Sequence, residues 1–299
     1  MAAVVAFAIA AVAFAAAAFV AIRPDPTRTV PRDERQWTDA LRSSDPRVRA
    51  RVLSVYALTA TEPALHPPCD PVIARLVDVP SVRDEALAVL IKEARDRRCI
   101  TEVIAVLADS PDAYARSAAA HVLGEASAPS MRTPVVDALV RAIGRDSAAR
   151  DAAIVALGVL SDTGAAARSA LRRAFTETNG ETRANALEAL LHVDPAPERL
   201  EPLALTALAD SSADVRATAV FALERVGASP DRAAATVERL VRALADPAPE
   251  VRARSADALG WIGVRSPGVL HALDAAGADT SARVSAAARR ALVALRVAR

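Results

Sequence analysis

Aromatic residues make up only 3% of the 299-residue chain. That removes the large side chains around which a broad globular centre packs. Lysine is almost missing: Lys92 is the single one, so nearly every cation is an arginine. Charge of one sign is missing too. Lys plus Arg number 37 and Asp plus Glu 36, a net of +1, so no field favours a polyanion and no nucleic-acid partner is expected. Two cysteines and four scattered histidines fall short of the roughly four ligands of a structural zinc site. No P-loop, nucleophile elbow or glycine-rich phosphate cradle occurs in the right context. The chain is therefore expected to hold no metal, no cofactor and no catalytic residues.

The chain is 53% apolar, with abundant alanine, the best helix former. Small side chains let helices approach closely, so thin layers of helix are expected. The opening "MAAVVAFAIAAVAFAAAAFVAI" carries no charge over residues 1–22. At about 1.5 Å per residue it reaches roughly 30 Å, the thickness of a hydrocarbon core. It lacks the basic start and short core of a signal peptide. The expectation is a single-pass inner-membrane anchor over 1–22, followed by a Pro/Arg-rich linker over 23–32. Arg23, Arg28, Arg32 and Arg35 follow the span and none precedes it, which places the remainder on the cytoplasmic side, the extracytoplasmic side staying open. In that reducing compartment Cys69 and Cys99 are expected to be free thiols.

From residue 33 onward one pattern recurs: V-R-x-x-A-x-x-A-L. It begins at Val48–Arg49, Val82–Arg83, Ala115–Arg116, Ala149–Arg150, Thr182–Arg183, Val215–Arg216 and Val251–Arg252. An eighth copy at Val284–Ser285 loses the arginine. The arginine positions step by 34, 33, 34, 33, 33 and 36 residues, then 33 to Ser285. Apolar positions within each copy form one helical stripe, and another amphipathic run precedes each copy. The unit is helix, turn, helix, repeated about eight times, and stacking is what buries its apolar faces. Asp45, Asp78, Asp112, Asp146, Asn179, Asp210, Asp246 and Asp279 lie just before the arginine positions and are expected to cap the second helix of each pair.

The segments "DPAPEVRARSADALGWIG", "SADVRATAVFALERVG" and "DSAARDAAIVALGVL" resemble HEAT repeats, most of all the short HEAT-like repeats of phycobilisome lyases. The resemblance implies an all-α solenoid over 33–299, following the N-terminal transmembrane helix. It also implies that the repeated arginine forms a ladder with aspartates in its own or a neighbouring turn. A cation repeated once per unit then reads as scaffold; the alternative is an arginine-lined anion groove.

With the core stripe assigned, each second helix leaves two positions, six and ten residues past the start of its pattern. In the resembled fold second helices line the concave side. The residues there include His121 and Glu125, Val155 and Val159, Glu188 and His192, Phe221 and Arg225, and Asp257 and Trp261. Aromatic and arginine anchors in a polar surround are what protein interfaces use, so these ten residues form the candidate site for a protein or peptide partner. The competing reading tucks Val155, Val159 and Trp261 into the core through solenoid twist. The two His/Glu pairs lie two repeats apart, about 20 Å at 8–10 Å per packed helix, too far to share a metal ion. A membrane-tethered scaffold is expected. The alternative, an enzyme or enzyme subunit of the lyase or DNA-glycosylase kind, follows from the resemblance alone.

Overall fold

The computed structural model describes residue 31 and residues 34–59, 71–95, 99–125, 129–145, 147–161, 164–177, 179–194 and 196–297. Among these the architecture is all helical. The helices are α1 (Glu34–Leu41), α2 (Pro46–Thr59), α3 (Pro71–Leu76), α4 (Arg83–Arg95), α5 (Ile100–Asp109), α6 (Ala113–Glu125), α7 (Arg132–Arg145) and α8 (Ser147–Leu160). They continue with α9 (Ala165–Glu177), α10 (Gly180–Val193), α11 (Pro197–Ala207), α12 (Ala213–Gly227), α13 (Pro230–Ala243), α14 (Pro249–Ile262), α15 (Pro267–Ala276) and α16 (Ala282–Val297). Each even-numbered helix carries one copy of the sequence pattern.

The membrane anchor is corrected. No helix among the described residues is long and apolar enough to cross a membrane. Residues 1–22, where the anchor was expected, lie outside the described residues, as does nearly all of the 23–32 linker. The transmembrane helix and the single-pass inner-membrane location are therefore withdrawn.

The chain divides into two compact units, Met1–Val135 and Val136–Arg299. In the first, α2 packs on α4 and α4 on α6, while α1, α3 and α5 pack on their own partners. Trp37 and Tyr56, both buried, meet edge to face with ring centroids 5.6 Å apart. In the second, α8, α10, α12, α14 and α16 stack in sequence, each touching the next. Their apolar stripe is buried: Leu157, Leu190, Leu223 and Leu259, which occupy the same repeat position, are each fully enclosed.

Small residues set how closely this layer stacks. A Cβ added at Gly260 on α14 would lie 2.8 Å from Ala291 Cα on α16, and one at Gly158 on α8 would lie 3.1 Å from Ala189 Cα on α10. At Gly144 an added Cβ meets nothing within 4 Å. Overpacking against backbone costs about 1–3 kcal/mol and outweighs the helix-propensity gain of about 1 kcal/mol. Gly260→Ala should therefore lower the unfolding free energy, whereas Gly144→Ala should raise it by about 0.5–1 kcal/mol. Urea denaturation of both variants separates the two cases, and a stabilised Gly260→Ala would show that α14 and α16 are not held this close.

The repeated arginine is a clamp between successive turns. Arg252 donates from Nε to Asp279 Oδ2 at 2.8 Å and from Nη2 to Asp279 Oδ1 at 3.0 Å, while Nη1 reaches back to the Asp246 carbonyl at 2.8 Å. Arg216 makes the same contacts with Asp246, at 2.8 and 2.9 Å, and with the Asp210 carbonyl at 2.9 Å. Arg183 pairs with both oxygens of Asp210, and Arg83 with Asp112. Arg216 and Arg252 thus tie their own turn to the aspartate of the next repeat, and Arg83 and Arg183 reach the aspartate of the next repeat as well. One expectation changes. Asp210 and Asp246 are not the capping residues themselves; they lie two positions earlier and accept the backbone N–H of Ser212 and Ala248, the residues at the caps of α12 and α14. Asn179 does cap α10, accepting from the Thr182 N–H. Arg150 Nε bonds the Ile143 carbonyl at 3.0 Å.

Asp210 and Asp279 are held below the usual carboxylate range, chiefly by the hydrogen bonds from Arg183 and Arg252. At Asp246 burial pushes the other way, but the bonds from Arg216 and from the Ala248 N–H prevail and its pKa also falls. A pKa below the unfolded value of about 3.9 means these carboxylates stabilise the fold fully above about pH 4. That contribution is lost as the pH falls through the lower folded values. Unfolding free energy should accordingly stay flat from neutral pH down to about pH 4 and drop below it. Stability that does not change down to pH 2 would remove the ladder from the account.

Candidate functional site

The second-helix layer of the second unit exposes a row of side chains near the C-terminal ends of its helices. Val159 on α8 is 61% exposed and Trp261 on α14 is 60% exposed. His192 on α10 and Arg225 on α12, also exposed, occupy the equivalent positions. Since α8, α10, α12 and α14 pack side by side, the row runs valine, imidazole, guanidinium, indole. One turn earlier on each helix lie Val155, Glu188, Phe221 and Asp257. Glu188 and Asp257 are exposed, while Val155 and Phe221 are half-buried, and Phe221 packs against the core.

The electrostatics of this face mix signs. Asp257 accepts two bonds from Arg290 Nη2, at 2.9 and 3.0 Å, across adjacent helices. The Glu224 carboxyl is pushed up, first by burial and then by the charge of Asp257, against the pull of Arg254 and Arg225. His121 and Glu125 lie on α6 in the first unit, 3.5 Å apart, and the face described here does not include them. Among the described residues no group of three or more His, Cys, Asp or Glu side chains could hold a metal ion.

Two exposed apolar side chains lay outside the sequence expectation: Tyr114 on α6, 53% exposed, and Val293 on α16, 59% exposed. Tyr114 sits one position before the pattern of its repeat and Val293 one position after it, where the pattern carries no rule. Cys99 corrects another expectation. It is disulfide-bonded, not a free thiol, and Cys69 is the other cysteine of the chain.

Helix pairs repeated along the chain, one apolar stripe shared between neighbours and an arginine clamp at successive turns define an α-solenoid repeat protein. Such proteins hold partners along a surface built from many units. The family profile for HEAT repeats matches residues 100–191 and 200–293, and the chain belongs to that family. No curated protein matches the sequence. Among solved structures, an engineered protein is similar at 22% identity and TM-score 0.50, over 88% of this chain and 78% of the other. Kap121p is similar at 15% identity and TM-score 0.62, over 88% of this chain and 33% of that one. The karyopherin Kap121p bound to the extreme C-terminus of the protein phosphatase Cdc14p matches at 15% identity and TM-score 0.64, over 88% and 34%. These likenesses concern the fold, and the chain spans about a third of the karyopherin length.

Proposed function

We propose that the protein is a HEAT-repeat scaffold with no catalysis of its own, and that its second-helix face binds an extended or helical segment of a partner protein. The observation that carries this reading is the pair of large apolar side chains, Val159 and Trp261, left more than half exposed in one row with His192 and Arg225 between them. A partner segment suited to this row is amphipathic. It offers apolar groups at both ends and charges of both signs opposite Glu188, Asp257 and Arg225. Kap121p, a similar fold, holds the C-terminus of another protein, which supports a peptide as the ligand type. His121 and Glu125 would extend the contact if the partner also reaches the first unit. We propose that the repeats are of the short HEAT-like type of phycobilisome lyases, which the segments "DPAPEVRARSADALGWIG", "SADVRATAVFALERVG" and "DSAARDAAIVALGVL" resemble, with no bilin chemistry implied.

Buried aromatic anchors often carry 2 kcal/mol or more of a binding energy. Capture of a protein partner on the immobilised chain should therefore weaken by about thirtyfold or more in Trp261→Ala, with helicity unchanged. Lys92→Ala, in the first unit, should change capture by less than about threefold. Capture should also survive added salt, whereas a nucleic-acid ligand would be lost steeply. Equal losses for the two substitutions would place the contact elsewhere.

A further inference from the structure

The repeat shows which side chains the scaffold needs, so a departure from it at a packed position asks for another reason. Asp151 is such a departure. It lies two residues past the start of the pattern in α8, and the equivalent residues of the next three second helices are Ala184, Ala217 and Ala253. Those alanines are 8%, 5% and 2% exposed and belong to the stripe through which the second helices stack. Gly158, seven residues further along α8, belongs to the same stripe and closely approaches Ala189 of α10. The joint between α8 and α10 therefore carries a carboxylate where the later joints carry a methyl group.

That carboxylate is not satisfied by the fold. Its Oδ1 is buried and accepts no hydrogen bond. A buried acceptor without a donor keeps its desolvation cost, and a charged one costs most. The arginines of the two patterns that meet here do not relieve it. Arg150 Nε donates to the Ile143 carbonyl, and Arg183 is committed to both oxygens of Asp210. The stack alone would gain from alanine at this position.

Asp151 also borders the partner-binding row. It lies four residues before Val155 and eight before Val159, on the same side of α8. Its side chain is half-buried where the equivalent alanines are buried, so one edge opens on that face. Rotation about χ2, which is broad and two-fold in aspartate, brings either oxygen to this edge. Glu188, exposed on the adjacent α10, occupies the tier of Val155. We propose that Asp151 receives a lysine or arginine of the partner segment and fixes the basic end of that segment over α8 and α10. The inference rests on the reading of the row as the partner face. A cationic donor supplies the missing hydrogen bond with charge assistance. Arg225, one helix beyond α10, repels the same base and so sets the direction of the segment.

The test is selection of a displayed library of random short peptides on the immobilised full chain, followed by affinity measurement with the synthetic consensus peptide. The consensus should carry a lysine or arginine beside its apolar residues. It should bind Asp151→Ala and Asp151→Asn about tenfold more weakly than the wild type. Replacing that base by glutamine in the peptide should cost about tenfold against the wild type and almost nothing against Asp151→Ala. Asp151→Ala restores the alanine of the later repeats, and its urea midpoint should rise above the wild type. The rise should exceed that of Asp137→Ala, an exposed aspartate on α7 that controls for helix propensity. A consensus that needs Trp261 but binds Asp151→Ala as well as the wild type would overturn this inference and leave the row standing. Peptides that do not need Trp261, or no enrichment, would overturn the row and this inference with it. A midpoint of Asp151→Ala that rises no more than the control would assign the carboxylate to the scaffold and overturn the inference too.

Discussion

Arg216→Ala should lower the unfolding free energy by about 2–3 kcal/mol, while Arg150→Ala should lower it by about 1 kcal/mol or less. Both arginines occupy the same repeat position, so composition and helix propensity do not separate them. Their partners do. Arg216 bonds both oxygens of Asp246 and also the carbonyl of Asp210. Its side chain and that of Asp246 are 13% and 12% exposed, between the fully buried and surface regimes of ion pairs. Removing the guanidinium leaves a largely enclosed carboxylate supported by the Ala248 N–H and by the more distant charge of Arg252. Arg150 bonds the neutral Ile143 carbonyl. Chemical denaturation of both variants, together with Asp246→Ala and the double variant, measures the difference. The Arg216–Asp246 coupling should be about 1–3 kcal/mol. Equal losses at Arg216 and Arg150 would mean that the next-turn aspartate contributes nothing.

Reduction should destabilise the protein by about 3–4 kcal/mol. Cys99 is disulfide-bonded, 5% exposed, and sits immediately before α5 with a backbone φ of 54°, a left-handed conformation uncommon outside glycine. Closing a chain loop with a disulfide restricts the unfolded ensemble, and the effect grows slowly with loop length. Cys99→Ala should reproduce the loss and should make the protein insensitive to reductant. Alkylation of the unfolded chain purified without reductant should find no free thiol. Two reactive thiols, with a denaturation midpoint that reductant does not move, would contradict it.

The repeat was legible because it is periodic: a stripe that returns every 33 to 36 residues shows the helix pair, its partner and its core side together. The role of Arg252 followed for the same reason, since a cation present once per unit fits a structural joint. The direction of the joint was not legible. Spacing alone does not distinguish the aspartate of the same turn from that of the next, and the structure selects the next in Arg83, Arg183, Arg216 and Arg252. Asn179 was visible as a departure from aspartate, and its role as a cap holds. The exposure of Trp261 and the half-burial of Phe221 were not separable by pattern, because both fall outside the core stripe. The free-thiol expectation rested on the spacing of neighbouring helices and on a reducing compartment, and the Cys99 disulfide overturns it.

Crosslinking from single positions tests the account of the binding face most directly. A photoreactive residue replacing Arg225, in the row between His192 and Trp261, should join the partner. The same residue replacing Glu238, exposed on the first helix α13, should not. Crosslinks from Glu238 with none from Arg225 would place the partner on the opposite helices and contradict the account.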